Sequence, residues 1–310
     1  MTPHLIYLLV ILVSFLLCYA FKLLFTRLKK FDRINHRSVH QSKATKTGGL
    51  AVFLTLFFFS TYFYLSALQI YDFSLLIPLG IMFVVGVYDD FYNADFKLKF
   101  LLQIIVAKIL IDQGLIIDHF HGVLGLQEIP RIGAQIFTVF VFLVIVNAIN
   151  FIDGIDGLAI TEVIKVILMV EFFSLHPTPL FELGAITVFG LLPLYYFNFK
   201  KNYKVFLGDA GSLFLGTLIA CYLFYVLGSE YTLKAPYSTN KPLLAMSLIV
   251  YPLVDLLRVF VIRIRNKKSP FSPDQNHLHH LLVKKGVSHF AIVLIILSIS
   301  LIFLLLPFGI

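Results

Sequence analysis

The sequence predicts an all-α polytopic membrane protein with about ten transmembrane helices, and three observations lead there. Of 310 residues, 59% are hydrophobic and only 14% are charged, whereas soluble domains run to about 25% charged. The mean hydropathy is +0.91, an apolar excess that no single soluble core absorbs. The apolar residues also gather into stretches of about twenty, the length a helix needs to cross a hydrocarbon layer of roughly 30 Å. Helices satisfy their own backbone groups in lipid, where open sheet edges cannot.

Taken in order, the candidate spans are roughly 5–25, 49–70, 73–89, 99–117, 133–151, 157–175, 180–198, 211–229, 242–262 and 289–309. The first is too long for a signal peptide, and its positive charge follows it, so it reads as a retained helix. The second begins after Gly48-Gly49 and the third ends at Asp89-Asp90. The fourth starts beyond Lys97 and Lys99, and the fifth closes on Asn147 and Asn150. The sixth follows Asp156-Gly157, the seventh ends at Asn198, and the eighth follows Gly208 and Asp209. The ninth runs into Arg263 and Arg265, and the tenth is the terminal apolar run. No internal repeat or low-complexity tract interrupts them, so residues 1–310 read as one integral membrane domain. Cys18 and Cys221 lie in separate apolar spans and form no disulfide or metal signature.

The basic residues set the direction. With the first end outside, 19 of the 25 Lys and Arg fall on the cytoplasmic side, three on the outer side and three within spans. The formal net charge of +8 therefore reflects cytoplasmic bias facing anionic lipid headgroups, and it points to no nucleic acid.

Five polar islands open on that cytoplasmic side: RSVHQSKATKTGG, YDDFYNADFKLK, NAINFIDGIDGLAI, FNFKKNYKVFLGDAGS and SPFSPDQNHLHHLLVKKG. The outer loops carry no such cluster. One composite active site at the cytoplasmic membrane boundary is expected. Its carboxylates are Asp89, Asp90, Asp153, Asp156 and Asp209. Carboxylates at membrane depth are costly and mark function, and several converging need a cation. An oxygen-ligated ion such as Mg2+ fits, since it keeps waters and shares phosphate ligands, and no Cys or His pattern points to zinc. Around the carboxylates stand phosphate-binding donors: Lys97, Lys99, Lys204, Arg37, His277, His279 and His280. Gly208 and Gly211 around Asp209 would let a helix N-terminus approach an anion. Acidic residues for a metal and basic ones for phosphates imply metal-assisted phosphoryl transfer.

Each island also has a plainer reading. Asp-Asp ends a helix well, the first loop supplies positive-inside charge with only Arg37 and His40 as functional candidates, and three histidines suit a solvated loop. Lys108–Asp112, Glu162–Lys165 and Asp255–Arg258 are spaced as intrahelical charge pairs and are read as structural. The polar ladder Asn147, Asn150, Asp153 and Asp156 turns about 60° per step on an ideal helix, too wide for one face. With Gly154 and Gly157 it reads as a helix end that bends.

RSVH with the following GG, VYDDFYNADFKLKFLLQ, NAINFIDGIDGLA, FNF…KVFLGDAGSLFLG and PFSPDQNHLHHLL together resemble the polyprenyl-phosphate N-acetylhexosamine-1-phosphate transferases. These are glycosyltransferase 4 family enzymes that begin bacterial glycan assembly. The motifs occur in the family's order across essentially the whole chain, and the last resembles the branch that uses UDP-GlcNAc. The resemblance implies transfer of GlcNAc-1-phosphate from a UDP-N-acetylhexosamine to undecaprenyl phosphate, releasing UMP, with Mg2+ or Mn2+ required. It implies a multi-pass protein of the bacterial inner (cytoplasmic) membrane, facing the cytoplasm and acting early in O-antigen, teichoic acid or capsule synthesis, and it admits a homodimer. By motif, Asp209 would be the principal metal ligand, with Asp153 named beside it while the motif itself leaves open whether Asp153 or Asp156 touches the metal. Asp89 and Asp90 would sit beside the lipid phosphate. Asn147, Asn150, Asp153 and Asp156 would shape the metal and nucleotide site. Lys97, Arg37 and His40 would face substrate anions, and Asn198 a uridine or ribose group. His277, His279 and His280 would contact the diphosphate or sugar, with His279 among the catalytic set and Arg263 and Arg265 beside the closing loop. The chain departs from the family in SKATKTGG, which lacks prolines, and in KKNY, where a Pro-Ala pair is common.

The rival from another class is an ion-coupled transporter using intramembrane carboxylates. It predicts polar residues at mid-membrane and repeat symmetry, whereas here the carboxylates gather at one face.

Overall fold

The computed structural model describes residues 3–32, 43–125, 127–269 and 275–308; Arg37 and His40 lie outside them. The helices, in chain order, are α1 (Pro3–Arg27), α2 (Gly48–Leu65), α3 (Leu76–Tyr92), α4 (Phe96–Asp112), α5 (Arg131–Phe151) and α6 (Leu158–Phe173). They continue as α7 (Phe181–Asn198), α8 (Gly208–Leu227), α9 (Lys241–Leu248), α10 (Val250–Arg265), α11 (Leu278–Lys284) and α12 (His289–Leu305). Two-residue strands β1 (Ala44–Thr45) and β2 (Lys204–Val205) are the only sheet among the described residues.

Every predicted span coincides with helix, and the all-α expectation holds. The count of ten crossings is not reached by length and apolarity: six helices qualify among the described residues, or seven if the bent α9–α10 pair is one span. α4 and α6, at 17 and 16 residues, fall short of the roughly 20 that a bilayer asks for. The ninth predicted span is broken, with α9 and α10 meeting at 76°. Pro252 explains the break: it has no N–H for the carbonyl of Leu248 four residues earlier, where α9 ends.

α8 is the central helix. Its apolar window is 89% buried, against 17% for α1, and it packs against α2, α3, α5, α6 and α9. Lipid offers no hydrophobic gain for pressing helices together, so close approach through small residues carries much of the packing. At Gly86 of α3 an added Cβ would lie 2.2 Å from the carbonyl oxygen of Asp209. At Gly49 of α2 it would lie 2.2 Å from the backbone nitrogen of Gly211. Both neighbours are backbone in the first turn of α8, so these glycines set how near α2 and α3 come to it.

β1 and β2 pair in parallel, Ala44 against Lys204 and Thr45 against Val205. The ladder continues as Gly48 N–H donates to Phe206 O at 2.9 Å and Gly49 N–H to Leu207 O at 2.8 Å. β1 lies within the first segment that departs from the family pattern and β2 begins directly after the second, and the pairing fixes the start of α2 beside the start of α8.

Candidate active site

The first turn of α8 gathers the carboxylates. Gly208 takes φ +74°, a left-handed conformation open to glycine, and a Cβ there would meet an Asp90 carboxylate oxygen at 2.8 Å. Asp90 accepts from the backbone N–H of Asp209 at 3.1 Å and of Ala210 at 2.9 Å. Asp153 accepts from the N–H of Gly208 at 3.1 Å. These N–H groups have no partner within the helix, and the positive end of its dipole favours the negative charge. Asp209, in the same turn, accepts from the Asn150 amide, which also donates to Ser212 Oγ at 2.8 Å. Asp89 accepts from Ala94 N–H at 2.7 Å and from the Lys99 ammonium, and the charge of Asp209 acts on it.

Two lysines offset this charge. Lys99 pairs with Asp89, while Lys46 lies 3.6 Å from Asp90 and 3.4 Å from Asp32. Burial works against the Lys46 ammonium, but Asp32, Asp90 and Asp209 outweigh it and raise its pKa. Asp153, in the turn after α5, goes the other way: enclosure, then the charges of Asp209 and Asp90, push its carboxyl well above the usual range. A carboxylate that resists ionisation beside two others is a place where a cation is favoured.

The polar ladder divides at that turn. α5 ends at Phe151, and Gly157 at φ +77° opens α6. Asp153 faces the carboxylate cluster, whereas Asp156 faces away: its carboxylate accepts from Lys204 Nζ and lies 2.8 Å from His289 Nδ1, to which its backbone N–H donates at 3.3 Å. Burial raises the Asp156 carboxyl, but the bonds from His289 and Lys204 prevail and hold it below its ordinary range. Asn198 is buried and contacts backbone instead of an open site, accepting from Gly157 N–H at 2.6 Å and donating to Val205 O at 2.9 Å. It holds the turn to β2.

The histidine segment closes against the same turn. A Cβ on Gly154 would lie 3.1 Å from His280 Cε1 and 3.4 Å from His279 Nε2. His279 is fully buried, its Nδ1 2.9 Å from the Tyr251 hydroxyl and its Nε2 without a hydrogen-bond partner. The expected pair Asp255–Arg258 forms at 3.7 Å, and Asp255 also bonds His277 Nδ1 at 2.7 Å and accepts from Leu278 N–H at 2.8 Å. Arg258 in turn donates to Asn276 O. Arg263 is buried with its guanidinium 6.0 Å over the Phe151 ring, while Arg265 and Lys97 are exposed. The spacing within α10 reveals only the i,i+3 pair, so the long-range partners of Asp255 leave no local signal. The same holds for Lys46 with Asp90 and His289 with Asp156.

Beside Asp89 and Lys99 opens a cavity of ≈ 500 Å³ walled by α4, α5 and α10. Its walls are apolar, including Phe96, Phe140, Leu143, Leu256 and Phe260, and its polar end carries Asp89, Lys99, Asn147 and Asn150. Asn147 is held there by donating to Gln103 Oε1 at 2.9 Å and to Leu143 O at 2.8 Å. On the other side of α3 a second cavity of ≈ 500 Å³ has Lys30, Asp32, Lys46, Asp90 and Asn93 on its walls.

Among the described residues no three Asp, Glu, His or Cys side chains form a closed metal cage. Mg2+ does not ask for one: it takes one or two carboxylates and fills its octahedron with water and phosphate oxygens. Asp209 and Asp153 offer hard oxygens, and the gathering of Asp90, Asp153 and Asp209 at the first turn of α8 is the arrangement a cation relieves. The donor set fits.

A family model described as glycosyl transferase family 4 matches residues 72–227, which contain all five site aspartates. The chain is 30% identical over 278 residues to a probable undecaprenyl-phosphate N-acetylglucosaminyl 1-phosphate transferase of Bacillus subtilis, covering 88% of this chain and 75% of the relative. It is 32% identical over 281 residues to an undecaprenyl-phosphate alpha-N-acetylglucosaminyl 1-phosphate transferase of Haemophilus influenzae, covering 87% and 76%. A decaprenyl-phosphate N-acetylglucosaminephosphotransferase of Mycobacterium tuberculosis is 29% identical over 303 residues, with 89% and 74% covered. With its aspartates gathered at one helix start and these relatives matched along most of their length, the chain belongs to glycosyl transferase family 4, the polyprenyl-phosphate N-acetylhexosamine-1-phosphate transferases.

Proposed function

We propose that this protein transfers N-acetylglucosamine 1-phosphate from UDP-N-acetylglucosamine to undecaprenyl phosphate at the cytoplasmic face of a bacterial inner membrane. The observation that carries the reading is the carboxylate cluster of α8 meeting the polar mouth of an apolar cavity, with Asp89 and Lys99 at the join. An acceptor with a polyisoprenoid tail and a phosphate head needs such a pairing of greasy groove and charged mouth. In this reading α4, α6 and α7 complete ten crossings with the longer helices.

The lipid phosphate has a second pKa near 6, so at neutral pH it is already a dianionic nucleophile. Its oxygen forms the new bond to the phosphorus bearing the sugar, and the bond from that phosphorus to the bridging oxygen breaks, leaving with UMP. Lys99 would hold the acceptor head at the cavity mouth. Lys46, kept protonated by its acidic neighbours, would balance donor phosphate charge on the far side of Asp90. Asp209 and Asp153 would hold Mg2+, which when bound supplies positive charge between the two phosphates. A strong general base is not required for an ionised acceptor, which leaves Asp89 the task of orienting Lys99.

Purified protein in detergent, given undecaprenyl phosphate, Mg2+ and a panel of UDP-sugars, is expected to release UMP with UDP-N-acetylglucosamine preferred. Asp209→Asn is expected to abolish it. Absence of UMP with every UDP-sugar, or equal release from Asp209→Asn, would refute the reading.

A further inference from the structure

α10 carries two functions on its two sides. Leu256, Leu257 and Phe260 wall the apolar cavity, and Asp255, fully buried, grips the segment that leads into α11. The grip is multiple: His277 Nδ1 at 2.7 Å, Leu278 N–H at 2.8 Å and, through Arg258, the carbonyl of Asn276. A carboxylate only accepts, so its bond to His277 puts the hydrogen on Nδ1. His277 stacks on His279 with centroids 5.4 Å apart, and His279 and His280 press on Gly154, next to Asp153. A buried carboxylate is a poor choice for stability alone, since apolar residues of similar volume often serve as well or better.

We propose that Asp255 is a positioning residue for the transfer. It links the wall of the acceptor cavity to the histidine segment and sets that segment against the turn that presents Asp153. This rests on the transfer reading above.

The test uses the full chain in detergent and has two arms. In Asp255→Asn, amide exchange of residues 275–284 is expected to speed up at least tenfold, with α8 and α12 unchanged. Unaltered exchange in that segment overturns the proposal, whatever the activity. In the kinetic arm kcat is expected to fall roughly 10- to 100-fold, the size seen when the partner that orients a functional histidine is removed. KM for both substrates should stay within about threefold, and Asp255→Asn with His277→Ala should be no slower than His277→Ala alone. Losses that multiply, or a kcat within about threefold of the parent, also overturn it. If Asp255→Asn does not accumulate as folded protein, Asp255→Glu keeps the charge and is judged by the same two criteria. A parent protein silent with every UDP-sugar, alongside faster exchange in the variant, would sink the transfer reading and leave the positioning role of Asp255 standing.

Discussion

Replacing Gly86 with alanine tests whether the α3–α8 contact sets the site. The new Cβ would stand 2.2 Å from Asp209 O and 2.5 Å from Ala210 Cα. Both are helix backbone, which cannot swing aside as a side chain can. To reach an ordinary contact of 3.4 Å, α3 must retreat from α8 by about 1 Å. Overpacking of that kind costs about 1–3 kcal/mol. The same retreat stretches the bonds from Asp90 to Asp209 N–H and Ala210 N–H, now 3.1 and 2.9 Å, to about 4 Å, beyond hydrogen-bond reach. Bonds to a charged group contribute about 1.5–3 kcal/mol each, so loss of both would leave the start of α8 without its anchor. A misplacement of about 1 Å at reacting groups costs about 100-fold in rate. Gly86→Ala is therefore expected to lose about 100-fold in UMP release and to melt several degrees lower by thermal size-exclusion. Gly80, on the same helix, is the control: its Cβ would meet only Phe53 Cζ at 3.7 Å, and Gly80→Ala should be neutral. A Gly86→Ala enzyme within threefold of the parent, or a Gly80→Ala enzyme equally impaired, would refute the reasoning.

Three further outcomes follow from the same geometry. Because Lys204 and His289 hold the Asp156 carboxyl below its ordinary range, its pairing stabilises the fold above pH about 3.9 and is lost as pH falls through the lower folded value. Asp156→Asn should be less stable than the parent by about 1.5–3 kcal/mol at pH 6, with the gap closing toward pH 3 in parallel melts. Gly154→Ala places its Cβ at 3.1 Å from His280 Cε1, a side chain that can yield by a few tenths of an ångström, so kcat should fall only several-fold with little change in melting temperature; Gly154→Val should do markedly worse. Chelation by EDTA should stop UMP release, Mg2+ or Mn2+ should restore it in the parent, and no metal concentration should restore it in Asp209→Asn.

Much of the fold was legible because membrane burial writes itself into local composition. A helix in lipid must be apolar over about twenty residues, and that requirement acts on consecutive positions, so each span could be read one at a time. The break at Pro252 belongs to the same local logic but lies inside an uninterrupted apolar run, which hides it. The carboxylates were legible as candidates because charge in such surroundings is costly. Their neighbours were not: Asp255 reaches His277 across 22 residues, Asp156 reaches His289 across 133, and Asp90 reaches Ala210 across 120. No spacing rule spans such separations.

The ladder Asn147, Asn150, Asp153 and Asp156 shows where the boundary falls. The sequence by itself determined that this is the polar end of a helix and that glycines bend it. Those properties depend on residue type and on local backbone freedom alone. Only the tertiary structure decided which aspartate serves the cluster. Asp153 turns toward Gly208, Asp90 and Asp209, while Asp156 turns toward Lys204 and His289 and is neutralised there. The physical reason is that a carboxylate's role is set by the charges that surround it, and here those charges come from α3, α8, β2 and α12, brought together only when the helices close around α8.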